Sequence, residues 1–187
     1  MMVCHKNKQI KQSTIGTENM IRTNTIMTIK SDYKINSKAS FVIILFYRLQ
    51  HILFSRNLLF VNALVGGVKN IVSFLLGIHV QISYRASIGN RIRLPHRGFG
   101  VVISHYATIG NDCTIFHGVT IGVNESRPKE KRKIVIGNNV YLSAGCKCIS
   151  CQIGEHSKIG PNAVVYKDIP PRSLVYSLNE IRVENKN

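Results

Sequence analysis

Negative charge is scarce in this 187-residue chain: nine Asp and Glu face 25 Lys and Arg, which leaves a formal charge of +16. That balance favours anionic partners such as nucleic acid, an acidic membrane surface or a phosphorylated small molecule. Charged residues of either sign are also few, 18% against 44% hydrophobic, which excludes a wholly disordered polymer while allowing a local tail. Long apolar runs are missing. The longest, Phe41 to Tyr47, is seven residues, where a spanning helix needs about 20, so no transmembrane helix is expected. No secretory n-region, h-region and cleavage site follow in order, and the cysteines are odd in number: Cys4, Cys113, Cys146, Cys148 and Cys151. Both absences are read as a reducing, cytoplasmic setting. The length suits one domain with a real core.

What is present falls into zones. Residues 1–40, with seven basic and two acidic residues and no sustained period, read as a disordered basic tail. Met20 and Met27 within it leave open a downstream start. Residues 41–77 form a helical segment: one helix over Phe41 to Phe54, and a second in which Val61, Leu64, Val65, Val68, Ile71, Val72, Leu75 and Leu76 recur at helical spacing. The first of these has few polar residues, so it either packs on a larger body or lies on a membrane surface.

From Ile82 onward aliphatic residues fall every six positions: Ile82, Ile88 and Leu94, then Ile103, Ile109, Ile115 and Ile121, then Ile136 and Leu142, then Ile153, Ile159 and Val165. Gly follows six of them, and a small residue such as Ala86, Ala107, Cys113, Cys146, Ser157 or Ala163 sits four positions after several. This pattern describes a β-solenoid, in which each short strand turns a corner onto the next flat face. The Gly after each aliphatic residue is read as serving the turn, where φ > 0 is needed. The phase breaks twice: three extra residues loop out around His96 to Gly100, and nine between Ile121 and Ile136. Insertions of this kind map to surface loops and often to the binding face. The Cys148 to Ile153 interval is five instead of six, an irregularity with no sequence explanation.

The run Leu94 to Ile103, the run Ile109 to Gly122 and the closing stretch Ile159 to Pro170 resemble the hexapeptide-repeat acetyltransferases, most closely the serine acetyltransferase branch and its relatives in surface-polysaccharide gene clusters. The resemblance covers residues 78–178 and leaves 179–187 as a C-terminal tail. It implies a mainly β fold, a left-handed parallel β-helix, assembled as a homotrimer with active sites between subunits and acetyl-CoA as co-substrate.

Moving an acetyl group from a thioester to an alcohol requires a base near neutrality that can also reprotonate the leaving thiolate, a role suited to His. His96 is the candidate general base, and the matching family His holds that role. Backbone N–H groups of the Gly98 to Gly100 bend are candidate oxyanion donors. By resemblance, His117 lies at the active-site wall and Ser143, Ala144 and Gly145 line the pantetheine arm. Lys147 and Lys158 are candidates for the cofactor phosphates. Arg132 matches the Arg of a family loop ending Arg-His-Pro, but Lys133 and Ile134 replace its last two residues. Gln81 and Pro95 stand where the family places two Asp residues. The acceptor contacts are accordingly assigned to Gln81, His117 and Arg132. A carboxylate is what would grip the ammonium group of L-serine, whereas a sugar hydroxyl needs no countercharge. The expected acceptor is therefore a sugar of a surface polysaccharide or its precursor, with L-serine as the alternative.

Cys146, Cys148 and Cys151 invite a zinc reading, but the first two occupy inward repeat positions and no second Cys or His pair completes four ligands, so no metal is expected. Two other classes stay open. A metal-dependent β-helix enzyme of the carbonic anhydrase kind would require a His five residues after His117, where Gly122 stands. A non-catalytic basic module would bind nucleic acid or membrane. The reading adopted calls for no specific nucleic acid and leaves a peripheral membrane association open.

Overall fold

The computed structural model describes residues 25–77 and 79–177. Among them three helices, α1 (Thr25–Ile35), α2 (Lys38–Ser55) and α3 (Leu59–Leu75), precede thirteen short strands. These are β1 (Gln81–Ile82), β2 (Ser87–Ile88), β3 (Val102–Ile103), β4 (Ala107–Ile109), β5 (Thr114–Ile115), β6 (Thr120–Gly122), β7 (Ile134–Ile136), β8 (Tyr141–Leu142), β9 (Lys147–Ile149), β10 (Gln152–Ile153), β11 (Lys158–Ile159), β12 (Val164–Val165) and β13 (Leu174–Val175).

The strands form three parallel sheets that the chain visits in rotation. Sheet 1 is β1-β3-β6-β9-β12, sheet 2 is β2-β4-β7-β10 and sheet 3 is β5-β8-β11-β13. Bridges at Arg93 and Ile169 supply the missing positions of sheets 3 and 2. The six-residue period is thus one strand plus one corner, and its aliphatic members stack in register: Ile82, Ile103, Ile121, Cys148 and Val165 on sheet 1. Ile88, Ile109, Ile136 and Ile153 stack on sheet 2, and Ile115, Leu142, Ile159 and Val175 on sheet 3. Most of these side chains are fully buried, and they constitute the core together with a second inward position before each strand. That second position is not restricted to small residues: Ile92, Val101, Val119, Ile134 and Val140 occupy it as well as Ala107 and Cys146.

Most of the glycines after the aliphatic residues are needed for a different reason from the one expected. None of Gly89, Gly110, Gly122, Gly137, Gly154 or Gly160 has a positive φ. At Gly110 a Cβ would lie 2.6 Å from Asn138 Oδ1, and at Gly89 2.7 Å from Asn111 Oδ1. Those oxygens are already engaged, because Asn111 Oδ1 accepts from the Asn90 N–H and Asn138 Oδ1 from the Asn111 N–H, both at 2.8 Å. Glycine leaves room for a ladder of asparagines running down one corner. The left-handed residues at that corner follow one step later, at Arg91, Asp112, Asn139, His156 and Arg172.

The helices close the open end of the sheets, and they do so with their polar sides. In α1, Asp32 is fully buried, and Thr28 donates to Asn90 Oδ1. In α2 the buried residues are Ser40, Ile44, Tyr47, Arg48 and Gln50, while Leu45 and Leu49 face outward. The first strands leave backbone groups without a neighbouring strand, and a buried unpaired N–H or C=O is costly. Arg48 donates to the Ile88 and Gly89 carbonyls, Tyr47 to Ala86 O, Ser40 to Leu94 O and Asn36 to Ile92 O. Asp32 Oδ1 and Asn36 Oδ1 accept from the N–H groups of Ile92 and Leu94.

The expectation of a disordered tail over residues 1–40 is corrected for its described part. Thr25–Ile35 is helical and residues 38–40 begin α2, because this stretch is ordered by hydrogen bonds to the sheet edge and not by an apolar face. Residues 1–24, Ile78 and residues 178–187 lie outside the described residues, and with them most of the expected tails.

Candidate active site

His96 lies on a short 3-10 turn, Pro95–Gly98, inserted between sheet 3 and sheet 1. Three successive residues there are left-handed: His96 at φ 53°, Arg97 at φ 59° and Gly98 at φ 58°. Such conformations cost roughly 1–2 kcal/mol per non-glycine residue, and strain of this kind clusters at functional sites. Here it turns the His96 and Arg97 side chains out to solvent while Gly98 is buried against Leu94.

The next turn of the chain brings Phe116 and His117 to the same corner. The His96 and His117 rings meet edge to face with centroids 5.1 Å apart, and Phe116 lies 6.0 Å from His96. Tyr141 packs on Phe116 at 5.2 Å. Phe116 and Tyr141 were not singled out from the sequence. Their signal was available, since they flank the inward-facing Ile115 and Leu142, which are register partners. Both aromatic residues are therefore directed outward on one face.

One turn further on, the same corner is formed by Ser143, Ala144 and Gly145. The Gly145 N–H donates to His117 O at 3.0 Å, as the Gly118 N–H does to Phe99 O at 2.7 Å. Gly100, Gly118 and Gly145 stack here with φ of 69°, 69° and 70°. Each would place a Cβ against the turn below, so glycine keeps the stacked turns in contact. Lys147 and Lys158 are exposed on either side of this corner, Lys147 on sheet 1 and Lys158 on sheet 3 beside Tyr141. His96, His117, Ser143, Ala144, Gly145 and the two lysines are thus assembled along one edge. Gln81, exposed at the start of sheet 1, pairs in register with Val102 just past the His96 turn.

Arg132 is elsewhere. The nine-residue insertion leaves from the corner between sheets 1 and 2, and the Arg132 side chain is spent inside it, donating to Arg127 O at 2.8 Å and to Glu125 O. Arg127 in turn donates to Ser150 O at 2.9 Å, and Ser150 Oγ accepts from the Asn124 N–H at 2.8 Å. At the corner with the five-residue interval Ser150 is left-handed at φ 46°, and its carbonyl and Oγ accept from the loop.

One expectation is corrected, and the inward reading of Cys146 and Cys148 holds. The Phe99 and Gly100 N–H groups are committed to His96 O and His79 O, so they are not oxyanion donors in this geometry. Cys113, Cys146, Cys148 and Cys151 are all buried in the core. Burial pushes the Cys113 thiol up to about 12 and that of Cys151 up to about 11. Contact with Cys146, followed by burial, raises Cys148 as well. Among the described residues no carboxylate hydrogen-bonds His96, and no cluster of three metal-ligating side chains occurs.

No family model matches the chain. A serine acetyltransferase of Helicobacter pylori is 38% identical over 131 residues, which are 70% of this chain and 72% of that protein. The chain belongs to the serine acetyltransferase family. The enzyme of that name from Bacillus subtilis is 36% identical over 133 residues, 71% of this chain and 58% of that protein. Among solved structures, a serine acetyltransferase in complex with CoA aligns with a TM-score of 0.62 and 26% identity, over 76% of this chain and 55% of that one. Serine acetyltransferase isoform 3 of Entamoeba histolytica, in complex with cysteine, shares the fold with a TM-score of 0.66 at 23% identity, over 94% of this chain and 63% of that one. The chain therefore spans somewhat less than two thirds of these longer relatives. Family membership makes it an acetyltransferase.

Proposed function

We propose that the protein transfers the acetyl group of acetyl-CoA to the hydroxyl of L-serine, with His96 as general acid and base. The observation that carries this reading is the strained, solvent-facing His96 on the edge that also holds His117 and Ser143 to Gly145, in a chain 38% identical to a serine acetyltransferase over most of that enzyme. Acetyl-CoA supplies an activated thioester. His96 takes the proton of the acceptor hydroxyl as its oxygen bonds to the thioester carbonyl carbon. As the carbon–sulfur bond breaks, His96 returns that proton to the sulfur, so the products are an acetyl ester and a free thiol.

The edge suits the donor chemically: exposed Lys147 and Lys158 flank the corner of Ser143 to Gly145 with the charge that phosphates require. The separation of Arg132 from His96 within one chain supports a homotrimer of left-handed parallel β-helices, in which the loop of a neighbouring copy completes the acceptor side.

A sugar acceptor is the second reading. It is favoured by the lack, among the described residues, of a carboxylate bonded to His96, by Gln81 and Pro95 in place of acidic residues, and by the Phe116 ring beside His96 with Tyr141 packed on it. Aromatic faces offer a sugar ring an apolar stacking surface.

Thiol release from acetyl-CoA, measured with L-serine and with a panel of nucleotide sugars and oligosaccharides, tests both. Release with L-serine that disappears in His96→Ala is expected. Release with sugars alone replaces the first reading by the second, and release with neither, or undiminished in His96→Ala, defeats both.

A further inference from the structure

The helices bury polar residues beside apolar ones, and α3 leaves most of its apolar side chains exposed. Its side toward α2 carries Asn62, Gly66, Lys69 and Ser73, with Gly66 close against the Gln50 side chain. Its outer side carries Phe60, Leu64, Val68, Ile71, Phe74 and Leu75, and Phe60 and Phe74 are 78% and 86% exposed. A contiguous apolar stripe along a 17-residue helix is not a stable water-facing surface. No helix among the described residues is long and apolar enough to cross a membrane.

The charge around the stripe identifies what covers it. Between Asp32 and Asp112 the sequence contains no Asp or Glu but nine Lys and Arg. Two of the nine, Arg48 and Arg91, are neutralised by those flanking aspartates. Arg56, at the C-cap of α2, is exposed just before α3 begins. Arg85, also exposed, stacks over Phe54 near the same end. A second copy docking through this face would bring two acid-free cationic surfaces together with no countercharge. An anionic headgroup layer supplies the countercharge, and the acyl boundary beneath it takes the apolar side chains.

We infer that the outer face of α3 docks the protein, peripherally, on a bilayer surface containing anionic lipid. The inference is independent of the acceptor and of the acetyltransferase reading. The helix lies in the interface plane with Phe60, Leu64, Ile71 and Phe74 buried below the headgroups and Arg56 and Arg85 among them.

Flotation of the full chain with phosphatidylcholine vesicles, with and without about one third phosphatidylglycerol, tests it against the triple variant Phe60→Ser, Ile71→Ser, Phe74→Ser. These side chains are exposed, so the variant is expected to keep its thermal midpoint and its acetyl-CoA turnover. The wild type binds the anionic vesicles at least about 10-fold more tightly than the neutral ones and releases at high salt. The triple variant loses at least about 100-fold of that binding. Equal binding by variant and wild type would assign the effect to charge elsewhere, including residues 1–24, and overturn the proposal. A wild type that ignores vesicles, yet sediments as a larger oligomer that the triple variant breaks, would show that a second copy covers the face.

Discussion

The Arg48 guanidinium donates to Asp32 Oδ2 at 3.0 Å in a fully buried contact between two helices, and both residues spend their remaining groups on the first turn of the sheets. Asp32 Oδ1 takes the Ile92 N–H, and Arg48 donates to Ile88 O and Gly89 O. Burial raises the Asp32 carboxyl above its ordinary range, against the opposing pull of Arg48 and of that backbone N–H.

Losing either partner is therefore expected to destabilise the fold by about 3–5 kcal/mol, because a buried charge is left unpaired. An ordinary buried ion pair can often be replaced by two apolar residues at little cost. Here the double variant Asp32→Leu, Arg48→Leu should remain at least about 3 kcal/mol less stable, since three backbone groups lose their partners with it. Denaturant unfolding measures this. A double variant as stable as the wild type would show that water or a rearranged helix satisfies the sheet edge.

The glycine and asparagine ladder predicts a contrast between two chemically identical changes. A Cβ on Gly137 would lie 2.6 Å from the Glu155 backbone nitrogen, whereas one on Gly122 meets only side-chain carbons at 3.5 Å and beyond. Gly137→Ala should lower stability by about 2 kcal/mol or more, the cost of forcing apart packed backbone, and Gly122→Ala by less than about 0.5 kcal/mol. Thermal melts of the two variants side by side decide it, and equal losses would reject the packing account.

The repeat was legible because a two-residue strand and its corner occupy six residues, so inward residues such as Ile103, Ile109, Ile115 and Ile121 recur at a spacing that no other common fold produces. The Pro95–Gly98 turn was legible as a break in the period, and His96 was singled out within it by resemblance. The helices were read less well, for a physical reason. Periodicity finds an element by its apolar face, but Asp32, Ser40 and Arg48 are buried as hydrogen-bond partners of the sheet edge, while Met27, Leu45 and Leu49 face water. The geometry of the second loop was also hidden, because the contact between Arg127 and Ser150 joins residues 23 apart in sequence.

That contact makes the loop testable on its own. Arg127→Ala removes the donor to Ser150 O, and the carbonyl that accepts from Arg132 then loses its support. Trypsin should cut among Lys129, Lys131 and Lys133 at least about 10-fold faster, as expected when local opening costs roughly 1.4 kcal/mol less. The global melting temperature should change little. Unchanged cleavage would mean that the loop is held by other contacts.

His96→Ala is expected to lower the rate of acetyl transfer by about 100- to 10,000-fold, the usual range for a general base. The KM for acetyl-CoA and the melting temperature should stay near those of the wild type, because the residue is exposed and its ring packs against Phe116 and His117 at the surface. His117→Ala should act mainly on the acceptor KM. A His117→Ala variant as inactive as His96→Ala would make the pair, and not His96 alone, the catalytic unit.

The buried thiols give the fold an alkaline limit. Burial holds Cys113 at about 12, against 9.0 for a free thiol, and Tyr47 at about 12, against 10.0. Both groups therefore lose their protons more readily in the unfolded chain. Between about pH 9 and 12 the unfolded state binds fewer protons than the folded one, so stability falls as pH rises through that window. It is undiminished by these groups below pH 9. Cys113→Ala should flatten the part of the fall that begins near pH 9, and Tyr47→Phe the part that begins about one unit higher. Tyr47→Phe also forfeits the hydrogen bond to Ala86 O at 2.8 Å, which lowers stability at every pH by about 1 kcal/mol. Denaturant midpoints of the three proteins at a series of pH values separate the two effects. An alkaline slope unchanged by either substitution would assign it to other groups, the buried Cys148 and Cys151 among them.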